Sequence, residues 1–103
     1  MKLLFVCKYH ERRSPIAERF FKDKYDTKSA GLEKDMVTED QLSWADVVVV
    51  MEESQKEELV KRFPRQYLSR RTVCANIPDD VTDLYELLKL LKLNVEEAIK
   101  DFK

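Results

Sequence analysis

Residues 3–17 of the chain read LLFVCKYHERRSPIA, and they predict a strand, a polar loop and a helix in succession. The apolar run at residues 3–6 lacks helical spacing, which is typical of a strand covered on both faces in a parallel sheet. Ser14 and Pro15 form a helix-start signal, with a hydroxyl at the N-cap and proline at the first helical position. This arrangement puts Cys7 at the carboxyl end of the strand, where the loop begins.

The rest of the chain continues this alternation of strands and helices. The apolar run at residues 47–51 predicts a buried strand, and shorter strands are predicted at residues 27–30 and 72–77. Capping boxes predict helices that start at Thr38 and at Ser54, and leucines at helical spacing over residues 84–91 predict another. Asn94 is predicted to cap a last helix that ends near Phe102. The pattern predicts a doubly wound, three-layer α/β domain whose four-stranded parallel sheet is flanked by helices.

Length and composition restrict the class of protein. A chain of 103 residues is expected to form a single domain, residues 1–103. Its 19 basic and 20 acidic residues give a net charge of −1, so neither nucleic acid nor a membrane is expected as a partner. The apolar start is too short for a signal peptide or a membrane span. Without such a signal, the chain is expected to be cytoplasmic. Because the cytosol is reducing, its two cysteines are expected to stay free.

The loop between the first strand and the first helix carries the strongest chemical signal. It reads as a cysteine, five further residues, an arginine and a serine, from Cys7 to Ser14. Such a loop can wrap its backbone N–H groups around a tetrahedral anion, and the helix dipole favours negative charge at the same place. These donors also favour the thiolate of Cys7, which is the nucleophilic form, and the planar fork of Arg13 can grip two phosphate oxygens. The predicted phosphate-binding residues are Lys8, Tyr9, His10, Glu11, Arg12, Arg13 and Ser14. The competing interpretation is a buried cysteine followed by a solvated basic loop.

A carboxylate is predicted at the same edge of the sheet. Asp79 and Asp80 follow the fourth predicted strand, and the carboxyl ends of parallel strands line the ligand site in such sheets. The leaving group of a phosphoester needs a proton, which a carboxyl group can donate. Asp79 is the first choice for this general acid and Asp80 the second. The alternative is that the pair caps the helix that follows.

Several segments resemble the low-molecular-weight protein tyrosine phosphatases. They are residues 6–18 with the loop and first helix, Ser29-Ala30-Gly31, residues 38–54 and Ile77-Pro78-Asp79. The resemblance implies a four-stranded sheet in the order 2-1-3-4. It also implies a metal-free and cofactor-free phosphatase with a phosphocysteine intermediate, acting on a phosphorylated protein or a small phosphomonoester. By the same resemblance, Cys7 attacks phosphorus, Arg13 holds the phosphoryl group and Ser14 hydrogen-bonds the sulfur. Asp79 protonates the leaving oxygen and then activates water.

The loop departs from the family pattern at three positions. Tyr9, His10 and Arg12 stand where the family usually has glycine, asparagine and often a second cysteine. Histidine is among the non-glycine residues that tolerate a positive φ, whereas Tyr9 would be strained if its position needs a glycine-like dihedral. With Arg12 in place of the second cysteine, the chain lacks the neighbouring thiol that family members can use for reversible oxidation of the nucleophile. For His10, a solvated loop residue is at least as good an interpretation as a catalytic role.

Three other functions remain open at this point. An arsenate reductase of this fold would need further cysteines, and only Cys74 is available, inside a predicted strand. A phosphocarrier domain would also phosphorylate a cysteine after its first strand, but it would not explain Arg13 or Asp79. A binding module would keep the anion site and lack turnover.

Overall fold

The computed structural model describes residues Met1–Lys103. The strands are β1 (Lys2–Cys7), β2 (Asp26–Gly31), β3 (Val47–Val50) and β4 (Thr72–Cys74). The helices are α1 (Arg13–Phe21), α2 (Glu39–Trp44), α3 (Glu53–Arg62), α4 (Leu68–Arg71) and α5 (Leu84–Ile99). Single 3₁₀ turns lie at Pro64–Gln66 and Lys100–Phe102. None of the helices combines the length and the apolar composition needed to cross a lipid bilayer.

The four strands form one parallel sheet in the order β2-β1-β3-β4. This confirms the predicted doubly wound α/β fold and its strand order. The register aligns the carboxyl ends of the strands: Cys7 lies beside Gly31, Val6 beside Val50, and Val50 beside Cys74. The loops that follow β1, β3 and β4 therefore leave the same edge of the sheet, which is where a ligand binds in folds of this class.

Alternate side chains of the central strands enter two separate cores. Leu3, Phe5, Val47 and Val49 pack with apolar residues of α1 and α5 on one face of the sheet. The residues between them along both strands pack with α2 and α3 on the other face. Because both faces are covered, β1 and β3 are continuous apolar runs, as buried parallel strands require.

One predicted capping box is confirmed and the other is wrong. At the start of α2, the Gln41 backbone N–H donates to Thr38 Oγ1 at 3.1 Å, and the Thr38 N–H donates to Gln41 Oε1 at 3.0 Å. At α3 the box consists of Glu52 and Gln55, not Ser54 and its partner three residues later. The reason is that Gln55 Oε1 also accepts from Met51 N at 2.9 Å, which ties the helix start to the end of β3.

Three other predicted boundaries are wrong. The first helix begins at Arg13, so Ser14 lies inside its first turn and Arg12 is the N-cap. The fourth strand ends at Cys74, because Asn76 has a left-handed backbone with φ 54° that interrupts the extended run. Asn94 caps no helix: α5 is continuous through it, and its side-chain amide donates to the Ala75 carbonyl at 2.7 Å.

Candidate active site

A cavity of about 320 Å³ opens at the carboxyl edge of the sheet, beyond the end of β1. It is lined by Cys7, Tyr9, Glu11, Arg12, Arg13, Asp79 and Thr82. The cavity therefore brings together the segments that follow β1 and β4, as expected from their common edge. Of the predicted loop residues, Lys8, His10 and Ser14 do not line it, and neither does Asp80.

Cys7 lies at the base of the cavity and is 3% exposed. Its Sγ is 3.0 Å from Ser14 Oγ, which also lies 3.2 Å from the Ala30 carbonyl oxygen. The Ser14 oxygen therefore lies between the sulfur and the sheet, where its single proton is donated to the Ala30 carbonyl, and the side chain does not cap its own helix. When Cys7 is a thiolate, the Ser14 proton can be donated to the sulfur in place of the Ala30 carbonyl, so the pair can stabilise the nucleophilic form.

The active-site loop, residues 8–12, presents free backbone donors. The carbonyls at its start face away from the cavity, since Leu32 N donates to the Lys8 carbonyl at 2.9 Å and Glu33 N donates to the same oxygen at 2.7 Å. The backbone N–H groups of residues 8–12 have no protein acceptor. Together with the start of α1, they form an electropositive rim suited to a tetrahedral oxyanion.

Arg13 is held rigidly at the side of the cavity and is 5% exposed. Its Nη1 donates to the Ile77 carbonyl at 2.7 Å and lies 3.6 Å from Glu52 Oε2. Its Nη2 lies 3.5 Å from Asp79 Oδ1. Three segments of the chain thus fix the guanidinium, and its planar fork is oriented before any ligand binds.

Asp79 stands at the mouth of the cavity, with its side chain 78% exposed. The other candidate, Asp80, lies outside the cavity. The suggestion that this pair caps the next helix is wrong, because the N-cap of α5 is Asp83, whose Oδ1 accepts from Tyr85 N at 3.0 Å. Of the two predicted aspartates, Asp79 is therefore the one that lines the cavity with Cys7 and Arg13.

Arg12 connects the active-site loop to the segment that carries Asp79. Its guanidinium donates to the carbonyl oxygens of Val81 and Thr82. Arg12 stands where the low-molecular-weight phosphatases often have a cysteine. The sequence predicted only that it binds phosphate, and these two hydrogen bonds were not expected. We call residues 78–82 the acid loop. Arg12 bonds to carbonyls within this loop, and Arg13 bonds to the carbonyl of Ile77, the residue just before it. Both arginines therefore connect the acid loop to the start of α1.

The left-handed residue of the active-site loop is His10, with φ 52°. Tyr9 does not have a positive φ, so the strain expected at this residue does not arise. Tyr9 is 45% exposed, and the Lys8 ammonium lies 5.3 Å from the centroid of its ring. His10 is not a solvated loop residue either: its ring bonds to Ser29 and Asp35 at the back of the loop.

Sequence reasoning missed several supporting residues of the site. Glu52 follows β3 at the same sheet edge, so the rule that selected Cys7 and Asp79 would also have found it. Ser29, Asp35 and Thr82 carried no such signal, because their roles depend on contacts between distant parts of the chain.

Cys74 takes no part in the cavity that contains Cys7. It lines a different cavity with Asn76 and Asn94, and burial raises the pKa of its thiol. No second thiol lines the Cys7 cavity. This arrangement disfavours the reductase alternative, which needs a relay of thiols.

Comparison with solved structures relates this architecture to known proteins. No protein-family model and no curated protein matches the sequence. The chain is similar to SP-PTP, a low molecular weight protein tyrosine phosphatase from Streptococcus pyogenes, with a TM-score of 0.82 and 16% identity over 99% of this chain and 93% of that one. It is similar to the YwlE arginine phosphatase from Geobacillus stearothermophilus, with a TM-score of 0.76 and 20% identity over 96% and 91%. For the tyrosine phosphatase Wzb from Escherichia coli K30 the TM-score is 0.69, with 21% identity over 98% and 94%. The chain therefore has the fold of the low-molecular-weight protein tyrosine phosphatases.

Proposed function

We propose that this chain is a cysteine-dependent phosphomonoester hydrolase that works through a phosphocysteine intermediate. The observation that carries the proposal is the arrangement around Cys7, whose sulfur is hydrogen-bonded by Ser14 at the base of a cavity. Arg13 and the free N–H groups of the active-site loop border the same cavity. Nucleophile, anion site and acid thus occupy positions that suit displacement at phosphorus, first by the thiolate and then by water.

In the first step, the Cys7 thiolate attacks phosphorus and an S–P bond forms while the P–O ester bond breaks. The electron pair of that bond goes to the leaving oxygen, which takes the proton of the Asp79 carboxyl group. Arg13 and the loop N–H groups bind the non-bridging oxygens, where negative charge is spread in the transition state. Asp79 suits the acid role because it stands at the open mouth, on the side from which the alcohol departs.

In the second step, the Asp79 carboxylate takes a proton from a water molecule whose oxygen attacks phosphorus. The S–P bond breaks, which restores the Cys7 thiolate, the protonated Asp79 and free inorganic phosphate. The Ser14 hydroxyl, 3.0 Å from the sulfur, stabilises the departing thiolate.

Steady-state hydrolysis of p-nitrophenyl phosphate tests the proposal. We expect turnover by the wild type and none by Cys7→Ser. Turnover that survives in Cys7→Ser would contradict the nucleophile. No turnover by the wild type would contradict the hydrolase, and a phosphocysteine that persists in that protein would favour a carrier module instead.

For the substrate we propose a phosphorylated protein, with phosphotyrosine as the first candidate because of the resemblance and because Tyr9 supplies an aromatic wall. A second candidate is phosphoarginine, a phosphoramidate for which the P–N bond would break in place of the P–O bond; a solved structure of the same fold is named an arginine phosphatase. One observation favours it: the carboxylate residues Glu11 and Asp79 both line the cavity and would attract a guanidinium leaving group.

Matched peptides carrying phosphotyrosine or phosphoarginine distinguish these two candidates. For a phosphoarginine enzyme, Glu11→Gln should lower kcat/KM on the arginine peptide by about 5- to 10-fold and leave the tyrosine peptide unchanged. A tyrosine enzyme should favour the tyrosine peptide with or without Glu11.

We further propose that residues 1–103 act as one domain in the cytoplasm. The requirement for a free nucleophilic thiol supports this location, because reducing conditions prevent the oxidation of Cys7.

A further inference from the structure

An open apolar groove of about 430 Å³ lies between α1 and α5 on the surface of the protein. Ile16, Arg19 and Phe20 of α1 form one wall, and Leu84 and Leu88 of α5 form the other. Spacings of three and four residues place each set on one face of its helix. The groove is therefore built from two adjoining helix surfaces that the fold leaves uncovered.

The two most accessible side chains of this groove stand on well-anchored backbone. Phe20 is 40% exposed and Leu84 is 53% exposed. The Phe20 ring packs edge-to-face on the buried Phe21, with 5.0 Å between the ring centroids. Asp83 caps the helix start directly before Leu84, since its Oδ1 accepts from Tyr85 N at 3.0 Å. The groove therefore exists before any partner binds.

The groove continues both walls of the Cys7 cavity. Arg12 and Thr82 line the cavity, and Ile16 and Leu84 follow them along the same two segments to line the groove. The Ile16 backbone N–H donates to the Arg12 carbonyl at 3.0 Å, so one turn of α1 separates cavity from groove on that side. The hydrogen bond from the Arg12 guanidinium to the Thr82 carbonyl lies at the boundary. A ligand that leaves the cavity across this boundary enters the groove.

The size of the groove indicates what it accommodates. A stable dimer buries about 800 Å² on each partner, with about 20–30 residues a side, whereas five residues line this groove. Its volume suits a single large side chain together with the adjoining backbone. The groove therefore matches one residue of a ligand that is anchored in the Cys7 cavity, and it is too small for the interface of a second copy of this chain.

Arg19 places a positive charge at the same groove. Its side chain is exposed and has no salt-bridge or hydrogen-bond partner in the protein. No carboxylate lines the groove. The guanidinium is therefore free to pair with an acidic residue of a ligand.

We propose that the α1–α5 groove is a second binding site of the phosphatase, which takes an apolar side chain of the phosphorylated protein and thereby selects its substrates. The proposal rests on the proposed function, because the phosphorylated residue of the same ligand occupies the Cys7 cavity. The groove begins about 5 Å from the cavity, one helical turn, and an extended peptide advances about 3.3 Å per residue. The apolar residue is therefore expected about two to four positions from the phosphorylated one, and an acidic neighbour pairs with Arg19.

Two series of peptides test this site, one centred on phosphotyrosine and the other on phosphoarginine. Each series places a single leucine at successive positions on either side of the phosphorylated residue, with serine elsewhere. Affinity is measured with Cys7→Ala, which cannot form a phosphoenzyme. We expect leucine at one position to tighten binding about 5- to 20-fold, and a glutamate next to it to add about 2- to 5-fold that Arg19→Gln removes. Equal affinities throughout a series that binds would overturn the proposal.

A matched pair of variants identifies the surface that produces the gain from leucine. Leu84 is on the surface in the first turn of α5, so Leu84→Ser is expected to fold. Leu93→Ser, at an exposed position of the same helix outside the groove, is the control. The gain should shrink to less than about twofold in Leu84→Ser and persist in Leu93→Ser. A gain that survives in Leu84→Ser would overturn the proposal, and so would self-association of the wild type that Leu84→Ser abolishes.

These outcomes separate this proposal from the failure of the proposed function. The all-serine peptides report on the Cys7 cavity, and inorganic phosphate should displace them. If no peptide binds, the cavity does not hold a phosphorylated residue, and both proposals fail. If the all-serine peptides bind and leucine adds nothing, only the groove proposal fails. If the gain from leucine depends on Leu84 and the wild type hydrolyses none of the peptides, the groove stands and the hydrolase fails.

Discussion

Replacing Arg12 with glutamine should selectively damage reactions that need a general acid. In the structure, Arg12 donates two hydrogen bonds to carbonyl oxygens of the acid loop, one of them part-buried and the other exposed. A hydrogen bond from a charged donor is worth about 1.5–3 kcal/mol net, and water replaces much of the exposed one. Counting only the part-buried bond, release of the acid loop should cost about 10- to 150-fold in the step that Asp79 assists.

The assay compares kcat/KM for phenyl phosphate and for p-nitrophenyl phosphate. The value of kcat/KM covers the steps through cysteine phosphorylation. Phenolate is the more basic leaving group, so its departure depends more strongly on the proton from Asp79. We expect the loss in Arg12→Gln to appear with phenyl phosphate and to be small with p-nitrophenyl phosphate. Arg70→Gln, at an exposed arginine with no side-chain hydrogen bond, is the matched control and should leave both values unchanged.

An equal loss with both substrates would refute this reasoning, because Arg12 would then act on phosphate and not through the acid loop. A double variant gives an independent check. If Arg12 works by positioning Asp79, the effect of Arg12→Gln on phenyl phosphate should largely disappear in an Asp79→Asn background.

Three more predictions address the acid, the phosphate clamp and the packing behind the loop. Asp79→Asn should lower kcat/KM for phenyl phosphate by about 10²- to 10⁴-fold, and Asp80→Asn should have little effect; the reverse order would assign the acid role to Asp80. Glu52→Gln removes the carboxylate that helps to orient the Arg13 guanidinium and should weaken inhibition by inorganic phosphate by about 3- to 10-fold, because the misplaced guanidinium outweighs the lost repulsion. Glu53→Gln, at the adjacent exposed position, should have no such effect, and equal inhibition constants for Glu52→Gln and the wild type would contradict this role. Gly31→Ala places a methyl group against a backbone carbonyl oxygen and should lower the free energy of unfolding by about 1–3 kcal/mol in urea titrations; unchanged stability would mean that the neighbouring loop moves aside.

The sequence predicted the sheet and the centre of the site because both depend on local patterns. Strand-forming segments that alternate with helical segments predict a doubly wound parallel sheet once right-handed connections are required. Cys7, Arg13 and Ser14 are close together in the chain, so the strand, loop and helix that contain them can be identified by inspection. Their side-chain roles in catalysis stay predictions until the variants are measured.

The supporting contacts could not be predicted, because they join distant positions. His10 bonds to residues 19 and 25 positions away, and Arg12 bonds to a carbonyl 69 positions away. The misplaced cap at α3 has a related cause. Ser54 fits the local capping pattern, but Gln55 gains bonds to the end of β3 by starting the helix earlier, and a local pattern does not register that gain.

The central position of β1 also has a consequence for how the chain folds during synthesis. Both hydrogen-bonding partners of this first strand, β2 and β3, are made after it, and the acid loop that faces Cys7 follows β4. Parallel pairing over such separations is slow, because loop closure precedes the contacts that reward it. Cys7 therefore leaves the ribosome well before the acid loop, and the proposed active site can assemble only after residues 78–82 have emerged.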